Sequence, residues 1–111
     1  LFVLRSTYEG FGLAALEALA AGIPVVAMNH GGLGDLVGHG QNGYLAHTQE
    51  DFVRYVARLI LDDDQRGRMA KAALDAAKRF SWDTVIPLHL QVYEEAVRRC
   101  KSRPCGVSLI A

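Results

Sequence analysis

Glu9 and Glu17 flank the run Gly10-Phe11-Gly12-Leu13-Ala14-Ala15-Leu16, which opens with two glycines and continues in strong helix formers. A helix starting just past Gly12 has leading backbone N–H groups without intrahelical partners, and its dipole adds partial positive charge at that end. Gly10 and Gly12 carry no side chain, so an anion can approach the backbone there closely. Phosphate is the usual guest of such a helix start. The chemistry suggested is recognition of a phosphorylated ligand, with one carboxylate before the helix and one along it.

Each carboxylate has two readings. At about 100° per residue, Leu13, Leu16 and Ala20 fall in one inward arc and Glu17 lies about 40° from Leu13, at the margin of the buried stripe. Ala14 and Ala21 beside it are small. A carboxylate next to a core seeks hydrogen-bond donors, and the neighbouring hydroxyls of a ribose supply two. The rise of about 7.5 Å from Gly12 to Glu17 suits the step from diphosphate to ribose within one nucleotide. The other reading is an exposed Glu on a surface helix. Glu9 belongs to the loop after the first strand, at the end where parallel sheets take their ligands. Next to a phosphate site it is better suited to sugar hydroxyls, or to positive charge developing on a sugar carbon. Alternatively it organises the loop by accepting from nearby backbone N–H groups.

The elements that hold these residues follow from pattern. Leu1–Leu4 reads as a strand covered on both faces. Leu13 to about Ala21 reads as a helix closed by a left-handed Gly22, and Ile23–Ala27 as a second buried strand with Pro24 at its entry. Strand, helix and strand in so short a span form a βαβ unit, hence parallel strands and a right-handed crossover. Leu33–Val37 is a single helical turn. Residues 38–43 are turn chemistry, Asn42-Gly43 most of all, and Tyr44–Ala46 is a short third strand. Thr48 caps a helix with Phe52, Val56, Leu59 and Ile60 on one stripe. Asp62-Asp63-Asp64 caps the next, over 65–79, with Met69, Ala73, Ala76 and Phe80 inward. A last helix starts near Thr84, which keeps Pro87 in its first turn, and carries Ile86, Leu90, Tyr93 and Val97 at helical spacing. Trp82 reads as a core plug at the helix junction. Residues 98–111, with Arg98, Arg99, Lys101 and Arg103, read as a basic tail. The fold class expected is α/β, a Rossmann-like parallel sheet with flanking helices followed by C-terminal helices, over residues 1–97.

Composition narrows the function classes. The 111 residues suit one domain. With 12 basic and 12 acidic side chains, no net field favours nucleic acid or an anionic membrane. Cys100 and Cys105 lie close together without a His near them, so two reduced thiols are expected and no metal site. His30 and His39 fall in loops on the expected ligand side, where solvated side chains are the ordinary case. The opening apolar run lacks an initiator Met and reads as a segment from within a longer polypeptide.

Taken in order, Tyr8-Glu9-Gly10-Phe11-Gly12-Leu13, Glu17-Ala18, Ala21-Gly22-Ile23-Pro24-Val25-Val26, Gly31-Gly32, Asn42-Gly43-Tyr44-Leu45 and Phe80-Ser81-Trp82 resemble the C-terminal signature of the group 1 (family 4) retaining glycosyltransferases of the GT-B fold. The resemblance covers residues 1–97. It implies two Rossmann-like domains with the active site between them, this chain being the C-terminal part of the donor-binding one and the acceptor domain lying elsewhere. It further implies a nucleotide-diphosphate sugar as donor substrate, no separate cofactor or metal, and a saccharide or lipid-linked acceptor. Glu9 would be the catalytic carboxylate facing the donor sugar, Gly10 with the Phe11-Gly12-Leu13 backbone would hold the diphosphate, and Glu17 the ribose. Where that family often continues its diglycine with Ile-Pro-Glu, this chain has Leu33-Gly34-Asp35. A cytoplasmic enzyme is implied, with membrane contact through the basic tail if the acceptor is lipid-linked. Alternatives are another GT-B enzyme such as a nucleotide-sugar epimerase, or a non-catalytic nucleotide-binding or interaction module. A helix terminus stabilises charge by at most roughly 2 kcal/mol, against about 8 kcal/mol where enzymic acceleration begins, so the chain alone is expected to be inactive.

Overall fold

Three short apolar runs pair as parallel strands, β1 (Phe2–Leu4), β2 (Val25–Met28) and β3 (Gly43–Ala46), in the order β1-β2-β3. The computed structural model describes residues 1–102. Phe2 is level with Val25, and Val25 with Gly43. Helix α1 (Leu13–Ala20) makes the crossover from β1 to β2, as the βαβ pattern predicts. Then come α2 (Leu33–Leu36), a single turn, α3 (Gln49–Leu61) and α4 (Asp63–Ala77), which runs into a 3-10 turn at Lys78–Phe80. Residues 1–79 form one unit and the chain from Phe80 a second.

β2 is central, and Val25, Val26 and Ala27 are fully buried. Period-two alternation puts Val26, Tyr44 and Ala46 on one face, where they join Phe52, Leu59 and Met69 in the main core cluster. β1 departs from expectation. Val3 is exposed, because β1 is an outer strand of this sheet and its alternate face has no covering element among the described residues. Ile60 also departs, pointing outward one position past buried Leu59.

The helix ends follow their capping residues. Thr48 Oγ1 accepts from the Asp51 N–H at 3.1 Å and Asp62 Oδ1 from the Gln65 N–H at 2.8 Å. Gly22 adopts φ 72°, its N–H donating to Leu19 O and that of Ile23 to Ala18 O, both at 2.9 Å, which is a Schellman end. The turn expected over residues 38–43 forms, with Gly38 O accepting from the Gln41 N–H at 2.9 Å, and its last two residues do more than turn. Asn42 is buried, donating Nδ2–H to Leu36 O at 3.1 Å and accepting the Gly38 N–H at 2.8 Å. Gly43 also opens the strand, because a Cβ there would meet Val25 O at 2.1 Å. The left-handed residue of this loop is Gly40, at φ 79°.

The outer edge of β3 is closed by the loop that precedes it. The Gly40 N–H donates to Gly43 O at 2.8 Å, and the Leu45 N–H donates to His39 Nδ1 at 3.2 Å, which blunts an edge otherwise open to pairing. His39 stands edge-on to Tyr44 and Tyr55, themselves stacked at 4.5 Å. Arg54, its guanidinium 5.2 Å over the Tyr55 ring and paired with Asp51, holds its proton more firmly than an ordinary arginine.

In the second unit, α5 (Trp82–Ser102) starts earlier than predicted, since Ser81 O accepts from the N–H groups of Thr84 and Val85 at 3.0 and 2.9 Å. Pro87 therefore lies inside the helix. Trp82 is exposed and not a core plug. Arg98, Arg99 and Lys101 lie on the last turns of α5 and not in a tail, whereas Arg103 and Cys105 fall outside the described residues. Among the described residues, no helix is long and apolar enough to cross a membrane.

Candidate functional site

β1 ends at Leu4, and the chain crosses its carboxyl end through Ser6, Glu9, Gly10 and Phe11 before entering α1 at Gly12. Gly12 is buried, at φ 91° and ψ 50°, a left-handed conformation natural to glycine. A Cβ there would also meet Leu33 Cδ2 at 2.7 Å. Geometry and packing thus both require glycine where α1 begins. The consequence is a helix with no side-chain cap, unlike α3 and α4, so its leading amides depend on something other than their own N-cap residue. Gly10 is exposed, and a Cβ on it would meet nothing within 4 Å. Phe11 and Leu13 are exposed as well. Among the described residues, then, no side chain other than those of its chain neighbours crowds a Cβ at Gly10.

Glu9 is half-buried and held at both ends. Ser6 Oγ–H donates to its carboxylate Oε1 at 2.9 Å, and the Gly32 N–H donates to its backbone carbonyl at 3.1 Å. The second contact explains the diglycine after β2. A Cβ on Gly31 would lie 1.7 Å from Glu9 O, and one on Gly32 2.4 Å from Gly10 O. Gly31 and Gly32 let one loop lie directly on the other, which fixes the backbone that carries Glu9. The side-chain partner of Glu9 is thus a hydroxyl and not a backbone N–H.

Glu17 is placed differently from the helical-wheel reading. The buried residues of α1 are Ala15, Ala18 and Leu19, while Leu13, Ala14, Glu17 and Ala20 are exposed. The inward arc is therefore rotated, and Glu17 lies near the middle of the outward face. Its side chain makes no hydrogen bond or ion pair among the described residues. That face is nonetheless unlike ordinary helix surface. α1 reads LAALEALA, so Glu17 is its one polar side chain, set in an outward strip of leucine and alanine.

The histidines divide. His30 follows β2 at the carboxyl end and is exposed, as expected. His39 serves the edge of β3, so it is not a ligand-side residue. Asn29 and His47, just past β2 and β3, approach within 3.4 Å. In the Leu33-Gly34-Asp35 segment, Leu33 is fully buried, and Asp35 is exposed with its carbonyl accepting from Arg79 at 2.7 Å. Ser6 is the residue the sequence reading missed. Its signal was a hydroxyl three positions before a loop carboxylate, which is a spacing local side-chain bonds use. Among the described residues, no three His, Cys, Asp or Glu side chains gather as around a metal ion.

Comparison with known proteins bears on the chain's family and fold. Residues 1–76 match the family model described as glycosyl transferases group 1. A D-inositol 3-phosphate glycosyltransferase of Corynebacterium kroppenstedtii is 39% identical over 105 residues, 93% of this chain and 23% of the relative. The chain thus spans about a quarter of the length of the curated relatives it matches. Among solved structures, a sucrose-phosphate synthase from Thermosynechococcus elongatus superposes with a TM-score of 0.79 at 27% identity, covering 87% of this chain and 26% of that one. Anabaena HepE, solved in complex with UDP-glucose, gives 0.69 at 29% identity, covering 86% and 27%.

Proposed function

The chain belongs to the glycosyl transferases of group 1, and on that premise we propose that it forms part of the donor site of a retaining glycosyltransferase. Such an enzyme moves a sugar from a nucleotide diphosphate to an acceptor hydroxyl. The observation that carries this reading is the start of α1, where a left-handed Gly12 leaves the leading amides uncapped beside an unobstructed Gly10. The amides of residues 10–13 take the diphosphate, whose negative charge grows as the bond to the sugar breaks and is stabilised by the helix dipole. Glu9 faces the sugar. Glu17 accepts from the ribose hydroxyls, and its exposure on an apolar strip supports a ligand lying along α1. The acceptor oxygen bonds to the anomeric carbon on the face the diphosphate leaves, and the acceptor proton passes to the departing diphosphate.

The UDP-glucose complex of Anabaena HepE supports a nucleotide sugar as donor. The donor is substrate, and the reading assigns no metal and no resident cofactor. On this reading a separate acceptor-binding domain completes the enzyme, and the acceptor is a saccharide or lipid-linked alcohol. The test is a titration of the isotope-labelled chain with UDP, followed by amide NMR. Shifts should concentrate on Gly10–Leu13, and Glu17→Ala should weaken binding about tenfold, roughly 1.4 kcal/mol. Shifts scattered over other elements, or unchanged affinity in Glu17→Ala, would count against the assignment.

A further inference from the structure

Resting on the donor-site reading of Glu9, we propose that Ser6 is a positioning residue: its hydroxyl holds one carboxylate oxygen of Glu9 so that the other, Oε2, is presented to the donor sugar. The Ser6 Oγ–H reaches Oε1 at 2.9 Å, and both residues are half-buried. A hydroxyl carries a single proton to donate, so once committed to Oε1 it has none for the sugar. Oε2 has no partner among the described residues. The two oxygens of one carboxylate are therefore unequal before any ligand arrives.

The arrangement is directional because the backbone beneath it is fixed. The carbonyl of Glu9 accepts from the Gly32 N–H at 3.1 Å, and Gly31 lies where a Cβ would be 1.7 Å from that carbonyl oxygen. A glutamate has three side-chain torsions, and a fixed main chain alone leaves them free to sample several rotamers. Ser6 supplies the remaining constraint at the far end. Loss of one hydrogen bond to a charged group should therefore show as misplacement of the carboxylate, with the loop left in place.

Two measurements test this. In the complete transferase that on this reading carries the chain, Ser6→Ala should lower kcat roughly tenfold to hundredfold with donor KM unchanged, and Ser6→Thr, which keeps the hydroxyl, should restore most of it. In a Glu9→Ala background, Ser6→Ala should add little further loss, since no carboxylate remains to be placed. Full additivity, or no rescue by threonine, would make Ser6 a loop residue only and overturn the proposal. In the chain itself, Glu9 side-chain couplings should report one dominant rotamer, and averaging in Ser6→Ala with backbone amides of residues 9–13 unmoved. Averaging already in the unsubstituted chain would also overturn it. Should Glu9→Gln leave turnover intact while the Ser6-dependent rotamer persists, the donor-sugar role of Glu9 fails and the anchoring geometry survives without a function.

Discussion

A methyl group added at Gly31 would lie 1.7 Å from the carbonyl oxygen of Glu9, on a residue whose φ is +58°. Left-handed backbone alone costs an L-residue about 1–2 kcal/mol, and the clash forces the two loops apart as well. Gly31→Ala should therefore destabilise the chain by more than about 2 kcal/mol in urea unfolding, with the largest amide shifts on residues 9–12. Gly10→Ala is the contrasting case. Its Cβ meets nothing within 4 Å, so stability should change by less than about 0.5 kcal/mol, while UDP binding weakens because the methyl occupies the approach to the amides. If Gly10→Ala left UDP affinity unaltered, the anion would not come near that backbone. Asn42 makes a third case, as it bridges Leu36 O and the Gly38 N–H from a buried position. Asn42→Ala leaves both groups without their partner, which should cost about 2–4 kcal/mol.

At the scale of elements, how well a segment could be read from sequence tracks how much contrast it carries. The strand–helix–strand order, the caps at Thr48 and Asp62 and the inward Phe52, Leu59, Met69 and Ala73 were all readable, because α3 and α4 have charged residues opposite apolar ones. α1 has no such contrast. Seven of the eight residues in LAALEALA are apolar, so periodicity does not fix the phase, and the small Ala15 and Ala18 were buried in place of Leu13. The two-sided cover expected for β1 failed for a related reason, since an apolar run does not reveal which of its faces finds a partner. The turn over residues 38–43 was readable, but not that Gly40 would be its left-handed residue while Asn42 serves burial and Gly43 close approach. Of the candidate site, the glycines and both carboxylates were legible as types at a spacing, but the Ser6 and Gly32 contacts to Glu9 were not, because they join loops with no period. Gly67 tests the element scale directly. It lies within α4 with nothing within 4 Å of a Cβ, so Gly67→Ala should raise stability by about 1 kcal/mol. Thermal unfolding measures that gain, and a loss would mean that α4 is not continuous helix at that point.

For the molecule as a whole, the charges decide what this chain can do alone. Its 12 basic and 12 acidic side chains cancel, so net charge gives no long-range attraction for a nucleotide diphosphate, and on the donor-site proposal attraction comes from the start of α1. That source is worth at most roughly 2 kcal/mol, or about thirtyfold at 1.4 kcal/mol per decade. Spent entirely on a departing diphosphate, it falls well short of the roughly 8 kcal/mol at which enzymic acceleration begins. The remainder has to come from cations on the phosphates and from a wall that excludes water and holds the acceptor in line. The chain therefore should bind UDP weakly and release it from UDP-glucose no more than about a hundredfold faster than buffer alone, with no product formed when alcohols are added. A coupled assay for free UDP measures the first quantity and chromatography of the products the second. Acceleration a thousandfold or greater would place the missing stabilisation within this chain itself, and the division of labour between a donor part and a separate acceptor domain would have to be abandoned.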